Sequence, residues 1–335
     1  MKIHAQAARA AKSALSPFDY EAADLGPNDV EIAIAFCGIC HSDLHLIDDD
    51  WHLSSYPLVP GHEIVGRVEA IGPSVSHLAV GQSVGVGWQR SACLSCSICL
   101  AGNENLCSRQ TAICVGHHGG MADRIRTDGR FVFALPDGLD PAATAPLFCG
   151  GATVFSPLRR FHVDATSSVG VIGIGGLGHI ALLFLRALGA EITALSSTPD
   201  KRAEAIAMGA HHFASSTDAR EIRKHAGRFD LLLSTVNARL DWITLMGTLR
   251  PNGVLCLVGS PPGLVAIPAA VLFAGQRSIT ASEIGSRATI VEMLAFAGRH
   301  RIAPRIELAA LGDVNAALDR LRKNQVRYRM VLENR

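Results

Sequence analysis

Two textures of hydrophobic patterning divide the chain. In the first, Val30, Ile32, Ile34 and Phe36 alternate with Glu31, Ala33 and Ala35, the period of a strand with one buried face. Glycines then recur, at Gly61, Gly66, Gly72, Gly81, Gly85 and Gly87. The short apolar runs between them predict a small barrel with tight turns. Near residue 145 the alternation gives way to continuous apolar runs of strand length, at 168–173, 191–195, 229–235 and 253–258. Helical runs follow the first two, at 179–188 and 201–208, and glycines stop them, Gly189 and Gly209. Strands buried on both faces read this way, so the second texture predicts a parallel sheet covered by helices on both sides. The final stretch returns to mixed helix and strand.

A chain of 335 residues is long for one core and suggests two domains. Its 48% hydrophobic content is ample for both. The 31 Lys+Arg against 30 Asp+Glu leave no net field to attract nucleic acid or an anionic membrane. No uncharged apolar run reaches membrane-spanning length, and Met1 to Ala7 lacks a signal peptide's apolar core. A cytoplasmic protein is the expectation. The nine cysteines are odd in number and clustered, which suits metal binding better than a disulfide framework.

Four of them, Cys93, Cys96, Cys99 and Cys107, follow the spacing C-x2-C-x2-C-x7-C. Thiolates this close along the chain can wrap one tetrahedral ion, and zinc is the usual choice. Such a site is closed to chemistry. Three other segments offer ligands for an open one: Cys40-His41-Ser42-Asp43-Leu44-His45, then Gly61-His62-Glu63, then Cys149-Gly150-Gly151. Two Cys and one His leave a fourth position for water or substrate. Each segment taken singly reads more often as core or loop; together, beside the glycine-rich loop at 173–178, they point to a metal site.

Gly173-Ile174-Gly175-Gly176-Leu177-Gly178 fits G-x-G-x-x-G at the end of a buried strand and the start of a helix. In that setting the glycines let backbone N–H groups approach a pyrophosphate at a helix N-terminus. An NAD site usually carries an acid about 20 residues on, at the next strand end, to bind the ribose hydroxyl. Here that strand ends in Ser196-Ser197-Thr198, with Lys201 and Arg202 close behind. Hydroxyls and a cation suit a 2′-phosphate, which predicts NADP(H). A plainer reading makes Ser or Thr before Pro199 a helix N-cap.

The chain resembles the zinc-dependent medium-chain alcohol dehydrogenases, and within them is most similar to the cinnamyl-alcohol-dehydrogenase-like branch. The matching stretches are Cys37-Gly38-Ile39-Cys40-His41-Ser42-Asp43-Leu44-His45, Val59-Pro60-Gly61-His62-Glu63-Ile64-Val65-Gly66, the four-cysteine knot, Cys149-Gly150-Gly151-Ala152-Thr153-Val154, the glycine loop, Ser196-Ser197-Thr198 and Val326-Arg327-Tyr328-Arg329-Met330-Val331. They run nearly the whole chain, in order. The resemblance implies an α/β protein with a GroES-like β-barrel catalytic domain, 1–148 with 288–335, and a Rossmann doubly wound domain, 149–287, with the active site in the cleft between them. It implies two zinc ions per chain: a catalytic one on Cys40, His62 and Cys149, and a structural one on the knot. Glu63 is implied as an acid that enters the zinc shell during exchange, Asp43 as the residue orienting the ligand histidine, and Ser42 and His45 as a proton relay. Cofactor positions implied are His41, Thr153, Gly173, Gly175, Gly176, Leu177, Gly178, Ser196, Ser197, Thr198, Lys201 and Arg329. Cys37, Cys114 and Cys256 read as core.

The reaction implied is zinc-assisted hydride transfer between NADP(H) and a primary alcohol or aldehyde, aryl or medium-chain aliphatic, in a homodimer or homotetramer. Trp51, Leu53, Trp88 and Ala112 fall at pocket positions. Glu283 stands where such members carry a bulky apolar residue; a carboxylate there either favours a cationic substrate or points to solvent or a subunit contact. The alternatives are an NAD-dependent polyol or formaldehyde dehydrogenase of the same superfamily, which the Ser-Ser-Thr strand end opposes, and a nucleotide-binding protein with structural zinc only. A zinc-ribbon nucleic-acid binder would explain the knot alone.

Overall fold

The computed structural model describes residues 1–334, which divide into two compact units: 1–152 together with the residues from 284 onward, and 153–283. The first is built on a seven-stranded sheet. Its order runs Ile306–Ala310, Arg329–Glu333, Asp29–Ile39, Glu63–Ile71, Ser83–Val86 and Val132–Ala134, with Arg124–Asp128 paired to the first half of Asp29–Ile39. A hairpin of Lys2–Ala8 and Leu15–Glu21 stands beside it.

The long strand departs from its simple alternation. Val30, Ile32 and Ile34 are buried, but Phe36 is only half-buried, while Cys37 and Ile39 enter the core. The pairing with Glu63–Ile71 shifts register between Glu31 and Ile32 and again between Ile34 and Phe36. Each extra residue reverses which face the following side chains take. Glu31, expected on the wet face, is buried and bonds the Nε–H of Arg126 at 2.6 Å.

The second unit is a six-stranded parallel sheet in the order His212–Ser215, Glu191–Ser196, Ser168–Ile172, Phe229–Ser234, Leu249–Leu257, Ser278–Ala281. This third-second-first-fourth-fifth-sixth order is that of a Rossmann fold, and its winding reverses beside Ser168–Ile172. The helix Gly178–Leu188 ends at Gly189, which is left-handed at φ 80°. The run 201–208 is shorter than its pattern: a 3₁₀ turn, Pro199–Lys201, precedes the helix Arg202–Ala207. Thr198 makes no side-chain cap there; its N–H instead donates to Ser196 Oγ at 3.1 Å. Cys37, Cys114 and Cys256 are all buried. Among the described residues no helix is long and apolar enough to cross a membrane.

Candidate active site

Where the bulged strand ends, Cys40 stands in extended conformation ahead of the helix His41–Asp48. Asp43, in that helix's first turn, is wholly buried and joins two distant segments. Its Oδ2 accepts from the Cys40 N–H at 2.9 Å; its Oδ1 accepts from the Gly61 N–H at 2.8 Å and lies 3.0 Å from His62 Nδ1. An ionised carboxylate can only accept, so the ring proton sits on Nδ1 and the lone pair on Nε2. That Nε2 is buried with no hydrogen-bond partner. Gly61 makes the approach possible. It sits at φ 99°, and a Cβ there would meet Cys37 Sγ at 2.6 Å and the Met121 nitrogen at 2.8 Å.

Cys149 follows the 3₁₀ turn Ala145–Phe148 and brings its Sγ to 4.0 Å from Cys40 Sγ. Ligand atoms of Cys40, His62, Glu63 and Cys149 all lie within 4.8 Å of one another. Two sulfurs on a tetrahedral zinc, each about 2.3 Å from it, stand about 3.8 Å apart, so the spacing and the orphaned Nε2 fit that ion. The hydrogen bond with Cys149 holds the Cys40 thiol well below its ordinary pKa and pushes Cys149 well above. Burial works to lower the His62 pKa, but the Asp43 carboxylate and the neighbouring Cys149 and Cys114 together hold it well above its ordinary value. Glu63 is pushed up to about 7 by burial, against the pull of Arg329, whose guanidinium pairs with it inside the protein.

The two residues expected to form a relay share one helix. Ser42 and His45, three apart, lie on the same side of it; Ser42 Oγ is 3.7 Å from Cys40 Sγ, and His45 Nδ1 is 2.8 Å from Asp50 Oδ2. His41 is exposed. Of the pocket residues, Trp88 stands edge-on to His62 at 5.0 Å between ring centroids, and Trp51 stands edge-on to Trp88 at 6.3 Å and beside His45 at 5.0 Å. Leu53 is exposed, Ala112 half-buried. Glu283 is exposed, so its carboxylate bears no desolvation cost.

The knot forms a second cluster. Cys93 Sγ lies 3.8 Å from Cys99 Sγ and 3.5 Å from Cys107 Sγ, and Cys96 Sγ lies 3.9 Å from Cys107 Sγ. Backbone N–H groups of Ser95 and Cys96 draw the Cys93 pKa down to about 5, so it is a thiolate at neutral pH.

In the second unit the glycine loop follows Ser168–Ile172. A Cβ on Gly173 or Gly178 would collide with Val236 or with the Gly173 carbonyl, whereas Gly175 faces open space. Gly173 thus makes the turn and Gly178 the close helix packing, while Gly175 leaves the loop's outer side open. Gly176 and Leu177 complete the loop into the helix. Lys201 reaches back 27 residues to donate from Nζ to the Ile174 carbonyl at 2.7 Å. Ser196 Oγ is occupied in its own turn, which leaves Ser197 and Thr198 as the exposed hydroxyls. Thr153 is half-buried on Gly150–Arg160.

One pairing and two residues escaped the sequence reading. Arg329 meets Glu63, 266 positions away. Asp50 holds His45. Thr235 Oγ1 donates to the Ile172 and Gly173 carbonyls at 2.9 and 2.8 Å, bracing the loop. For Thr235 a signal existed: strand ends at the switch point of a doubly wound sheet line the ligand crevice.

Comparison with known proteins gives two family matches, alcohol dehydrogenase GroES-like domain over residues 26–137 and zinc-binding dehydrogenase over 176–299. An aldehyde reductase of Synechocystis is 47% identical over 335 residues, covering 99% of each chain. A cinnamyl alcohol dehydrogenase of Sorghum bicolor superposes with TM-score 0.96 at 37% identity, covering 99% of this chain and 98% of that one. One from Helicobacter pylori, solved in complex with NADP(H), superposes at 0.92 with 30% identity and the same coverage.

Proposed function

The chain belongs to the zinc-dependent medium-chain alcohol dehydrogenases, in their cinnamyl-alcohol-dehydrogenase-like branch, and from that premise we propose that it interconverts primary alcohols and aldehydes, aryl or medium-chain aliphatic, with NADP(H). The observation that carries this reading is the buried, unpartnered Nε2 of His62 within 4.8 Å of the Cys40 and Cys149 sulfurs. Those three residues would hold a catalytic zinc, and the knot a structural one. When bound, zinc supplies Lewis acidity to the substrate oxygen and the nicotinamide carries the hydride. Everything else falls to the chain. Asp43 keeps His62 in the tautomer that presents a lone pair. Trp88 and Trp51 offer ring faces and edges next to that ligand, which supports an aryl substrate. Glu63, balanced by Arg329, is the carboxylate in reserve at the metal.

Ser42 Oγ takes the proton from the substrate hydroxyl and His45 passes it on to solvent, its ring steadied by Asp50. A relay member acts at a remove, so His45→Ala lowers kcat by less than the roughly hundredfold of a direct general base. Raising the pH restores part of the loss, because hydroxide then accepts the proton. A pH–rate profile of the variant matching the parent's would reject the relay.

NADP(H) is supported by the exposed Ser197 and Thr198, by the missing acid at that strand end, and by the Lys201 ammonium beside the loop. An aldehyde panel followed by nicotinamide absorbance, with NADPH and NADH in parallel, tests both halves. The expected outcome is a higher kcat/KM for aryl aldehydes and for NADPH. Equal use of NADH, or oxidation of polyols in preference to aryl alcohols, would replace this reading with that of an NAD-dependent polyol enzyme.

A further inference from the structure

A second cavity, of about 510 Å³, opens in the first unit, and its lining includes none of the residues assigned above to metal, relay or pocket. It still comes close to them. Cys114 forms part of its wall, and Cys114 Sγ lies within 4.8 Å of ligand atoms of both Asp43 and His62. The cavity is therefore one side chain away from the ligand histidine and its orienting carboxylate.

Arg90 is the unusual member of the lining. Among the described residues it donates no hydrogen bond and meets no carboxylate, and its Nε–H is buried without an acceptor. A buried donor left without an acceptor is costly, the more so on a charged group. The other ionised groups around the cavity have partners or solvent. Arg126 is engaged by Glu31 and the Ala23 carbonyl, Glu21 by the N-terminal amine, Asp29 by the Gly26 N–H, and Asp24 is exposed. His117 donates from Nδ1 to the His118 carbonyl at 2.7 Å. Burial, with Arg90 adding to it, pushes the His117 pKa down to about 4, and burial lowers His118 as well. Arg90, half-buried, thus brings a guanidinium with no ion-pair partner among the described residues, its Nε–H buried without an acceptor.

Part of the wall is aromatic. The rings of Tyr20 and His118 meet at a tilt with centroids 4.3 Å apart, Tyr56 lines the same space, and Phe18, behind the lining, meets His118 edge-on at 5.5 Å. A volume of this size falls in the range of small-molecule sites, roughly 300–1,000 Å³. We propose that the cavity binds a small aromatic carboxylate, its anionic group held by Arg90 and its ring by the Tyr20–His118 pair. The planar guanidinium matches a carboxylate in two hydrogen bonds. One unpaired cation answers one negative charge, and Glu21, Asp24 and Asp29 around the lining oppose a second, which disfavours a phosphate dianion.

The test is calorimetric and ligand-observed NMR titration of the zinc-loaded full chain with benzoate, with benzamide as its uncharged likeness and with inorganic phosphate. Benzoate binds, and benzamide binds weaker by about tenfold or more, the scale of a lost charge-assisted hydrogen bond. Arg90→Leu weakens benzoate by a similar factor and leaves aldehyde turnover in place. His118→Ala, which keeps the charge and removes the ring, weakens benzoate but not phosphate, and serves if Arg90→Leu does not fold. No benzoate binding, benzoate binding indifferent to both variants, or phosphate binding as tightly as benzoate would each overturn the proposal.

Discussion

Cys40→Ser leaves a folded protein with one zinc per chain instead of two and almost no turnover. The thiol-to-hydroxyl change is nearly isosteric, and the Cys40 N–H that Asp43 holds is a backbone group, so the local frame survives. What goes is one of the two sulfurs that stand 4.0 Å apart across the candidate metal position. Metal polarisation of a reacting oxygen supplies several kcal/mol, and each 1.4 kcal/mol is about tenfold in rate, so kcat/KM drops by about three orders of magnitude or more. His62→Ala has the same kinetic effect and a larger structural one, since it empties a fully buried position and takes from Asp43 Oδ1 one of its two donors, leaving the Gly61 N–H. Metal content by elemental analysis, far-ultraviolet dichroism and steady-state rates are measured together. Undiminished turnover in Cys40→Ser would remove the catalytic-zinc assignment. Loss of both zinc ions with loss of dichroism would mean that folding, not chemistry, had been lost.

Asp43→Asn separates orientation from bulk. All three contacts of the Asp43 carboxylate are with donors: two backbone N–H groups and the His62 Nδ1–H. An amide keeps the shape but turns an NH₂ toward at least one of them, and a buried donor facing a donor costs about 1–3 kcal/mol. The midpoint of unfolding drops accordingly. The more specific consequence is at the metal. Without its acceptor the His62 ring is free to take the other tautomer or rotate, and loss of such an outer partner costs about 10–100-fold in metal affinity. Competition with a chromogenic chelator reads this directly: one zinc per chain leaves at lower chelator concentration, while the knot's zinc leaves as before. A variant that is less stable yet releases both ions like the parent would reduce Asp43 to a structural brace.

The parts of the site differ in how far they could be read ahead of the fold. The knot spans fifteen residues and the glycine loop six; covalent spacing alone holds such ligands or turns together, and their chemistry follows from residue type. The strand and helix runs of the second unit were equally open to reading, because burial on both faces writes a continuous apolar run. The long strand of the first unit was less so. Its two register shifts are invisible in an alternating pattern, yet they decide that Cys37 and Ile39 turn inward just ahead of Cys40. The helix after Pro199 was legible to within a residue at each end, Arg202–Ala207 against the run 201–208, while the 3₁₀ turn Pro199–Lys201 ahead of it left no mark in the pattern.

By itself, then, the chain's spelling determined the two textures, the four-cysteine knot, the glycine loop with its acid-free strand end, and the candidate ligands as residue types. Tertiary structure alone decided which of those candidates meet. Cys149 reaches Cys40 across 109 positions, Arg329 reaches Glu63 across 266, Asp43 receives donors from the segments of Cys40 and His62, and Trp88 stands edge-on to His62 with Trp51 edge-on to Trp88. Among the described residues it also left the Arg90 Nε–H without an acceptor. The division has a physical cause. Periodicity and spacing record constraints between residues a few bonds apart, whereas the geometry of a metal site or a binding cavity depends on register, bulges and packing between strands far separated along the chain.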